Sequence, residues 1–141
     1  LMFPLYPGKE LPSITMGGEN EIVNIWQWRA IWEPSLSRKL GNKGTRLGIQ
    51  FSTHDHLSPI EDLTAAGYST LTTQEEQNVW GRGVWQEKTW RVVFKRPLMN
   101  ADNADVQFKY STVMAIAVWN GSNRERNGQK GISSWILLRL I

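Results

Sequence analysis

One stretch near the start of the chain fixes the fold class. Val23-Asn-Ile-Trp-Gln-Trp-Arg-Ala-Ile-Trp32 alternates with period two. Trp26, Trp28, Ala30 and Trp32 fall on one side, and Ile25, Gln27, Arg29 and Ile31 on the other. Successive side chains of a strand point to opposite faces, so this spacing predicts a strand with one aromatic face. The same signal recurs downstream. Residues 47–52 form a short candidate strand. Residues 83–97 predict a hairpin with the polar turn Gln86-Glu87-Lys88-Thr89 and an alternating set Trp90, Val92 and Phe94. Residues 105–110 and 111–120 predict two further strands, the second closed by a turn at Asn120-Gly121. Residues 134–141 are apolar on both faces, as a central strand would be.

Helix signals are short. Ser58-Pro59-Ile60-Glu61 has the form of a capping box with Pro at the first helical position, and Gly67 could end that helix. Thr73 with Glu76 could cap another turn. Neither reaches the length of a free-standing helix. With 141 residues the chain is expected to form a single domain, 1–141. The expected class is all-β: an antiparallel β-sandwich with short helical turns in its connections.

Composition excludes several chemistries. There is no cysteine, so disulfides, zinc–thiolate sites, iron–sulfur ligation by this chain and thioether-linked haem are all out. The net charge of +3 is interspersed, and no Lys/Arg run resembles a nucleic-acid footprint. No apolar run approaches the roughly 18–20 residues that span a bilayer. Residues 1–7 lack the basic start and long apolar core of a signal peptide, as in a chain that is not exported or in a mature or trimmed form.

Candidate chemistry is sparse. Eight Trp residues supply either a core of large plates or an aromatic wall for a flat ligand such as a sugar ring or a porphyrin. His54 and His56 form a His-x-His pair with no third ligand nearby, which reads as a solvated loop before it reads as a metal site. Glu61-Asp62 and Glu75-Glu76 do not isolate a hydrolytic pair of acids. No Gly-x-Ser-x-Gly element occurs, and neither Gly17-Gly18 nor Gly81-Arg-Gly83 starts a phosphate cradle. Met16 and Lys130 lie in loops. A thioether is a soft iron ligand, and a lysine amine can coordinate once its proton is suppressed. On pattern alone Met16 reads as loop packing and Lys130 as a solvated charge.

An ordered set of motifs adds context. Val23-Asn-Ile-Trp-Gln-Trp-Arg-Ala30, Ala66-Gly-Tyr-Ser-Thr-Leu-Thr72, the stretch from Gly83 to Leu98, Ala115-Ile-Ala-Val-Trp-Asn-Gly-Ser122 and Arg126-Asn-Gly-Gln-Lys-Gly-Ile-Ser-Ser-Trp135 follow one another. Together they resemble the haem b-binding gamma subunits of the type II dimethyl-sulfoxide-reductase family. Those include the gamma chains of ethylbenzene dehydrogenase, chlorate reductase, selenate reductase and related nitrite- or nitrate-converting enzymes. The resemblance implies one non-covalent haem b with Met16 and Lys130 as axial iron ligands, Lys109 being the rival lysine. It implies an electron-transfer subunit without catalytic residues of its own. The partners would be a molybdenum-cofactor alpha subunit, an iron–sulfur beta subunit and an external carrier such as a soluble cytochrome. The compartment would be the periplasm or its equivalent, and folded export with a partner would account for the missing signal. The face of Trp26, Trp28 and Trp32 is then a pocket wall or sandwich core. Arg29, Arg91 and Arg126 are candidate partners for the propionates. Ser69 stands where the family pattern favours a small residue, often Gly. The alternative from a different class is a carbohydrate-binding β-sandwich module, which needs exposed aromatic rings and no pigment.

Overall fold

The computed structural model describes residues 1–6, 8, 10–33 and 58–141. The strand expected at 47–52 and the pair His54 and His56 lie outside the described residues. The chain is all-β, as expected, with short 3-10 turns at Ala30–Trp32 and Gly121–Asn123. Its strands are β1 (Met2–Pro4), β2 (Val23–Trp28), β3 (Ile60–Ala65), β4 (Thr72–Thr73), β5 (Trp80–Gln86), β6 (Thr89–Lys95), β7 (Thr112–Met114), β8 (Ala117–Val118), β9 (Gly131–Ile132) and β10 (Ile136–Leu138). The order β1-β2-β3-β4 makes a four-stranded sheet, and β10-β7, β5-β6 and β8-β9 are two-stranded ladders. The ladders with a described register are antiparallel, consistent with a β-sandwich.

The chain divides into two compact units. The first comprises Leu1–Trp26, Asp62–Glu76 and Pro97–Ile141; the second comprises Gln27–Glu61 and Gln77–Arg96. In the first unit Met2, Val23, Ala65 and Ala115 form a buried cluster, with Ile14, Met16, Ile25 and Trp135 packed against it. Phe3, Trp26 and Phe108 form an aromatic triad with centroids 4.7 to 5.8 Å apart. Each such ring removes enough apolar surface from water to contribute about 2 kcal/mol. Beside the triad runs a buried polar network. Asn24 Nδ2 donates to Asp62 Oδ1 at 2.6 Å, and Gln74 Nε2 donates to the same oxygen at 3.1 Å. Asn24 Oδ1 accepts from Trp26 Nε1 at 3.1 Å and from the Val106 N–H at 3.3 Å. These shared hydrogen bonds offset part of the cost of burying the carboxylate and amides.

The second unit is built around the β5–β6 hairpin. Trp85 pairs with Trp90, Gly83 with Val92 and Gly81 with Phe94 on one face. A Cβ on Gly83 would come within 2.4 Å of the Trp28 ring, and one on Gly81 within 2.1 Å of Ile60 Cδ1. The two glycines therefore make the hollow that receives Trp28 and Ile60. The hairpin closes through Glu87 and Lys88, both at positive φ (51° and 60°), the geometry of a two-residue turn that matches strand twist.

Five expectations are corrected. The aromatic strand ends at Trp28, and Ala30–Trp32 is a 3-10 turn. Ser58 to Glu61 opens β3 rather than a helix, because its residues pair within the sheet. The Thr73/Glu76 helical turn is absent, since Thr73 pairs with Leu63 in β4. Residues 105–110 form no strand: the Val106 N–H goes to the Asn24 side chain and the Phe108 N–H to the Leu98 carbonyl. Residues 134–141 yield only β10, whose Ile136 and Leu137 are exposed, so that strand is not central.

Candidate functional site

Met16 sits in a tight turn between β1 and β2. Its φ of 78° lies in the left-handed region, and Gly17 follows at the same angle. Gly17 N–H donates to the Ser13 carbonyl at 2.8 Å, and Gly67 N–H donates to the Met16 carbonyl at 2.9 Å. The half-buried Met16 side chain packs against the Met2, Val23, Ala65 and Ala115 cluster. A non-glycine residue at positive φ is uncommon and is held only where its surroundings over-determine it. Gly67 and Ser69, the other half of this corner, also have positive φ, at 117° and 67°. The left-handed angle at Ser69 is one that glycine adopts at no steric cost.

Lys130 immediately precedes β9 in a loop opened by the Gly121–Asn123 turn. Asn120 caps that turn by accepting from Ser122 N–H at 3.1 Å. Lys130 Nζ stands 4.9 Å from the centroid of the Trp119 ring, whose Nε1 donates to the Asn127 carbonyl at 3.1 Å. Burial lowers the Lys130 pKa from its ordinary 10.5, because desolvation disfavours the ammonium. Among the described residues Lys130 makes no ion pair. The rival Lys109 is exposed.

The other predicted residues are placed as follows. Trp26 is enclosed by Phe3 and Phe108, with its Nε1 bonded to Asn24. Trp28 meets Trp90 edge-on at 4.8 Å and donates to Glu33 Oε1 at 2.7 Å. Arg29 pairs with Glu61 at 3.0 Å and lies over the Trp32 ring at 4.3 Å. Arg91 pairs with Glu87 at 3.7 Å, and Arg126 is exposed. Met16, Lys130 and Trp26 thus belong to the first unit, and Trp28 and Arg29 to the second. Among the described residues no group of three His, Cys, Asp or Glu side chains could hold a metal ion. An open hollow of about 610 Å³, lined by Thr64, Thr72, Thr73, Gln74, Asp102 and neighbours, contains none of the predicted site residues.

Sequence reasoning missed two features. One is Trp119, which stands over the lysine; its signal was an indole placed directly before the Asn-Gly turn. The other is the Asn24–Asp62–Gln74 network, signalled by an Asn interrupting the apolar start of the aromatic strand. Met16 offers a soft thioether and Lys130 a partly buried amine.

Residues 61–131, half of the chain, match the family model described as Ethylbenzene dehydrogenase, and the chain belongs to that family. Its relatives include the "Putative respiratory nitrate reductase heme subunit ORF7" of Haloferax mediterranei, 30% identical over 130 residues, covering 88% of this chain and 36% of that protein. Dimethylsulfide dehydrogenase subunit gamma of Rhodovulum sulfidophilum is 28% identical over 137 residues, covering 91% of this chain and 42% of that subunit. Chlorate reductase subunit gamma of Ideonella dechloratans is 28% identical over 135 residues, covering 94% and 46%. The family implied by the ordered motifs is the family found. The chain spans less than half the length of these curated relatives.

Proposed function

We propose that the chain belongs to an electron-transfer subunit that carries one non-covalent haem b, with Met16 and Lys130 as the axial ligands. The observation that carries this reading is Lys130: a partly buried amine beside the Trp119 ring, its pKa lowered by desolvation, with no ion-pair partner among the described residues. Met16 supports it from the same unit, as a thioether fixed on a strained turn.

The residues fit haem. When bound, haem supplies a one-electron ferric–ferrous couple. Met16 Sδ offers a soft, uncharged donor, and its turn holds it against the core so that ligation costs little ordering. Lys130 Nζ must give up its proton to coordinate, and its partly dry setting lowers the cost of that loss. Two neutral ligands favour the reduced state relative to an anionic one. Trp26 anchors the strand that follows the Met16 turn. Trp28 and Arg29 are engaged by Glu33 and Glu61, which suits support rather than ligation. With Met16 and Lys130 both holding the iron, no position would be left on it for a substrate. It serves a complex of a molybdenum-cofactor alpha subunit and an iron–sulfur beta subunit in the periplasm or its equivalent, exchanging electrons with an external carrier. The described helices offer no membrane crossing. The sugar-platform reading has less support, because the exposed Trp80 and Trp85 stand on opposite faces of the hairpin.

The test is the visible spectrum of the purified protein. A strong Soret band that shifts on reduction and moves wholly into acid–acetone is expected, since no cysteine can tether the porphyrin. Lys130→Ala should turn the low-spin ferric spectrum high-spin or admit added imidazole, while Lys109→Ala should not. A colourless protein, or a Lys130→Ala spectrum identical to the parent, defeats the assignment.

A further inference from the structure

None of the residues proposed to hold the haem iron lies on the outer face of the β5–β6 hairpin, and Arg91, which does, pairs with Glu87 at the turn. Trp80 pairs with Lys95, Arg82 with Val93 and Val84 with Arg91 on this face, and Gln86 with Thr89 at the turn end. Each of the first three cross-strand pairs sets one apolar side chain beside one cation. Trp80, Val84 and Val93 are 49%, 47% and 65% exposed. The cations Arg82, Arg91 and Lys95 are exposed as well. The face carries no acid; Glu87, in the turn, makes only a long contact of 3.7 Å with Arg91, and both side chains are largely in water. Seven residues of strand make a strip about 20 Å long.

The opposite face explains why this one is left outward. Gly81 and Gly83 give up their side chains there to admit Ile60 and Trp28. The hairpin therefore packs by one face and presents the other. Trp and Arg are the residues that dominate binding hot spots, and a face whose charges are all cationic steers an oppositely charged partner.

We propose that this face docks a folded protein whose surface interleaves carboxylates with apolar side chains, in a transient, salt-sensitive contact. The checkerboard selects a protein over a lipid surface. A bilayer takes apolar side chains below the level of the cations, whereas here each apolar side chain is paired across the ladder with a cation, and the hairpin tip Gln86–Glu87–Lys88–Thr89 is polar and bears an acid. The cationic face also repels a second copy of itself.

The test uses the full-length protein and a plant-type [2Fe–2S] ferredoxin as an acidic probe, with a basic cytochrome c as the charge control. It does not depend on haem content, which the visible spectrum reports separately. Calorimetry at low salt should show ferredoxin binding that weakens steeply as salt rises, and none to cytochrome c. The triple variant Arg82→Glu, Arg91→Glu, Lys95→Glu should bind ferredoxin at least about tenfold more weakly, while Arg139→Glu binds as the parent. Trp80→Ser with Val93→Ser should weaken binding at every salt concentration, with the fold checked by circular dichroism. Absence of ferredoxin binding, equal binding of both probes, or an unaffected triple variant overturns the proposal. So does binding to phosphatidylglycerol vesicles that the Trp80→Ser, Val93→Ser variant abolishes while ferredoxin binding persists unchanged.

Discussion

The turn that carries Met16 and the loop that carries Lys130 are held by different means. The Met16 turn is bound to distant parts of the chain: Gly67 donates to its carbonyl, and its side chain rests on Met2, Val23, Ala65 and Ala115. The Lys130 loop is held by near neighbours. Trp119 Nε1 bonds the Asn127 carbonyl, Asn120 N–H bonds Glu125 Oε2 at 2.6 Å, and Lys130 N–H bonds the Gly128 carbonyl at 3.1 Å. The thioether is therefore positioned by the fold as a whole, and the amine by a short local loop on a flexible stem. Conditions that disturb the two should separate.

Acid gives the largest separation. Burial lowers the Lys130 pKa below 10.5, so the folded chain holds its proton less tightly than the unfolded chain. The unfolded state then binds more protons between the folded value and 10.5, and stability rises with pH across that window. What Lys130 contributes is complete above 10.5 and is lost as pH falls through its folded pKa. Iron coordination extends the neutral form further down. As pH falls, protons compete for the amine, and the ammonium has the face of Trp119 to return to. Met16 has no proton to gain. Acid titration of the haem-loaded protein should convert the low-spin spectrum in one step to a form that keeps its thioether but has lost its amine. Loss of both ligands together, or retention of both until the protein unfolds, would erase the difference between the two segments.

A change of backbone strikes the other segment. Gly17 has a φ of 78°, and a Cβ there would meet the Glu21 carbonyl oxygen at 2.1 Å. Gly17→Ala should cost about 2 kcal/mol or more in urea unfolding, since both the left-handed angle and the contact oppose it. The cost falls on the fold, so the midpoint shifts for the whole first unit rather than for one loop. A variant with an unchanged midpoint would mean that the turn is not tied to the core as its contacts indicate.

How much of this was legible in the sequence depends on which interactions decide each segment. The hairpin was legible because alternation and turn chemistry agree: Trp90, Val92 and Phe94 are the half-buried positions of β6, although the turn is only Glu87 and Lys88. The capping box at Ser58 was misleading because local signals are weak against sheet pairing, and Ile60–Ala65 has a sheet to join. Residues 105–110 look extended, but Gln107 directs its amide to Asn100, Asp102 and Asp105, a loop arrangement that only the folded chain reveals. For the candidate site, the ordered motifs pointed to Met16 and Lys130. No pattern could show that Lys130 is half-buried or that Met16 takes a left-handed angle, because both depend on tertiary neighbours. The adjacent Gly17-Gly18 was the only local hint of the turn.

The smallest expected effect lies in the Lys130 loop. Gly128 is exposed, is not among the positive-φ glycines, and has nothing within 4 Å of where its Cβ would stand. An alanine there meets no atom and needs no unusual angle. Its main action is on the unfolded chain, which loses conformational freedom it would otherwise gain on unfolding. Gly128→Ala should therefore stabilise the protein by about 0.4–1 kcal/mol, opposite in sign to Gly17→Ala. The two glycines thus probe the two segments with one kind of substitution, and urea midpoints measured side by side read the contrast directly. The Lys130 spectrum should be unchanged, because Gly128 offers its carbonyl to the Lys130 N–H and alanine keeps that carbonyl. A destabilised Gly128→Ala protein would mean that the loop packs against something in the folded subunit, and that the amine is held as firmly as the thioether.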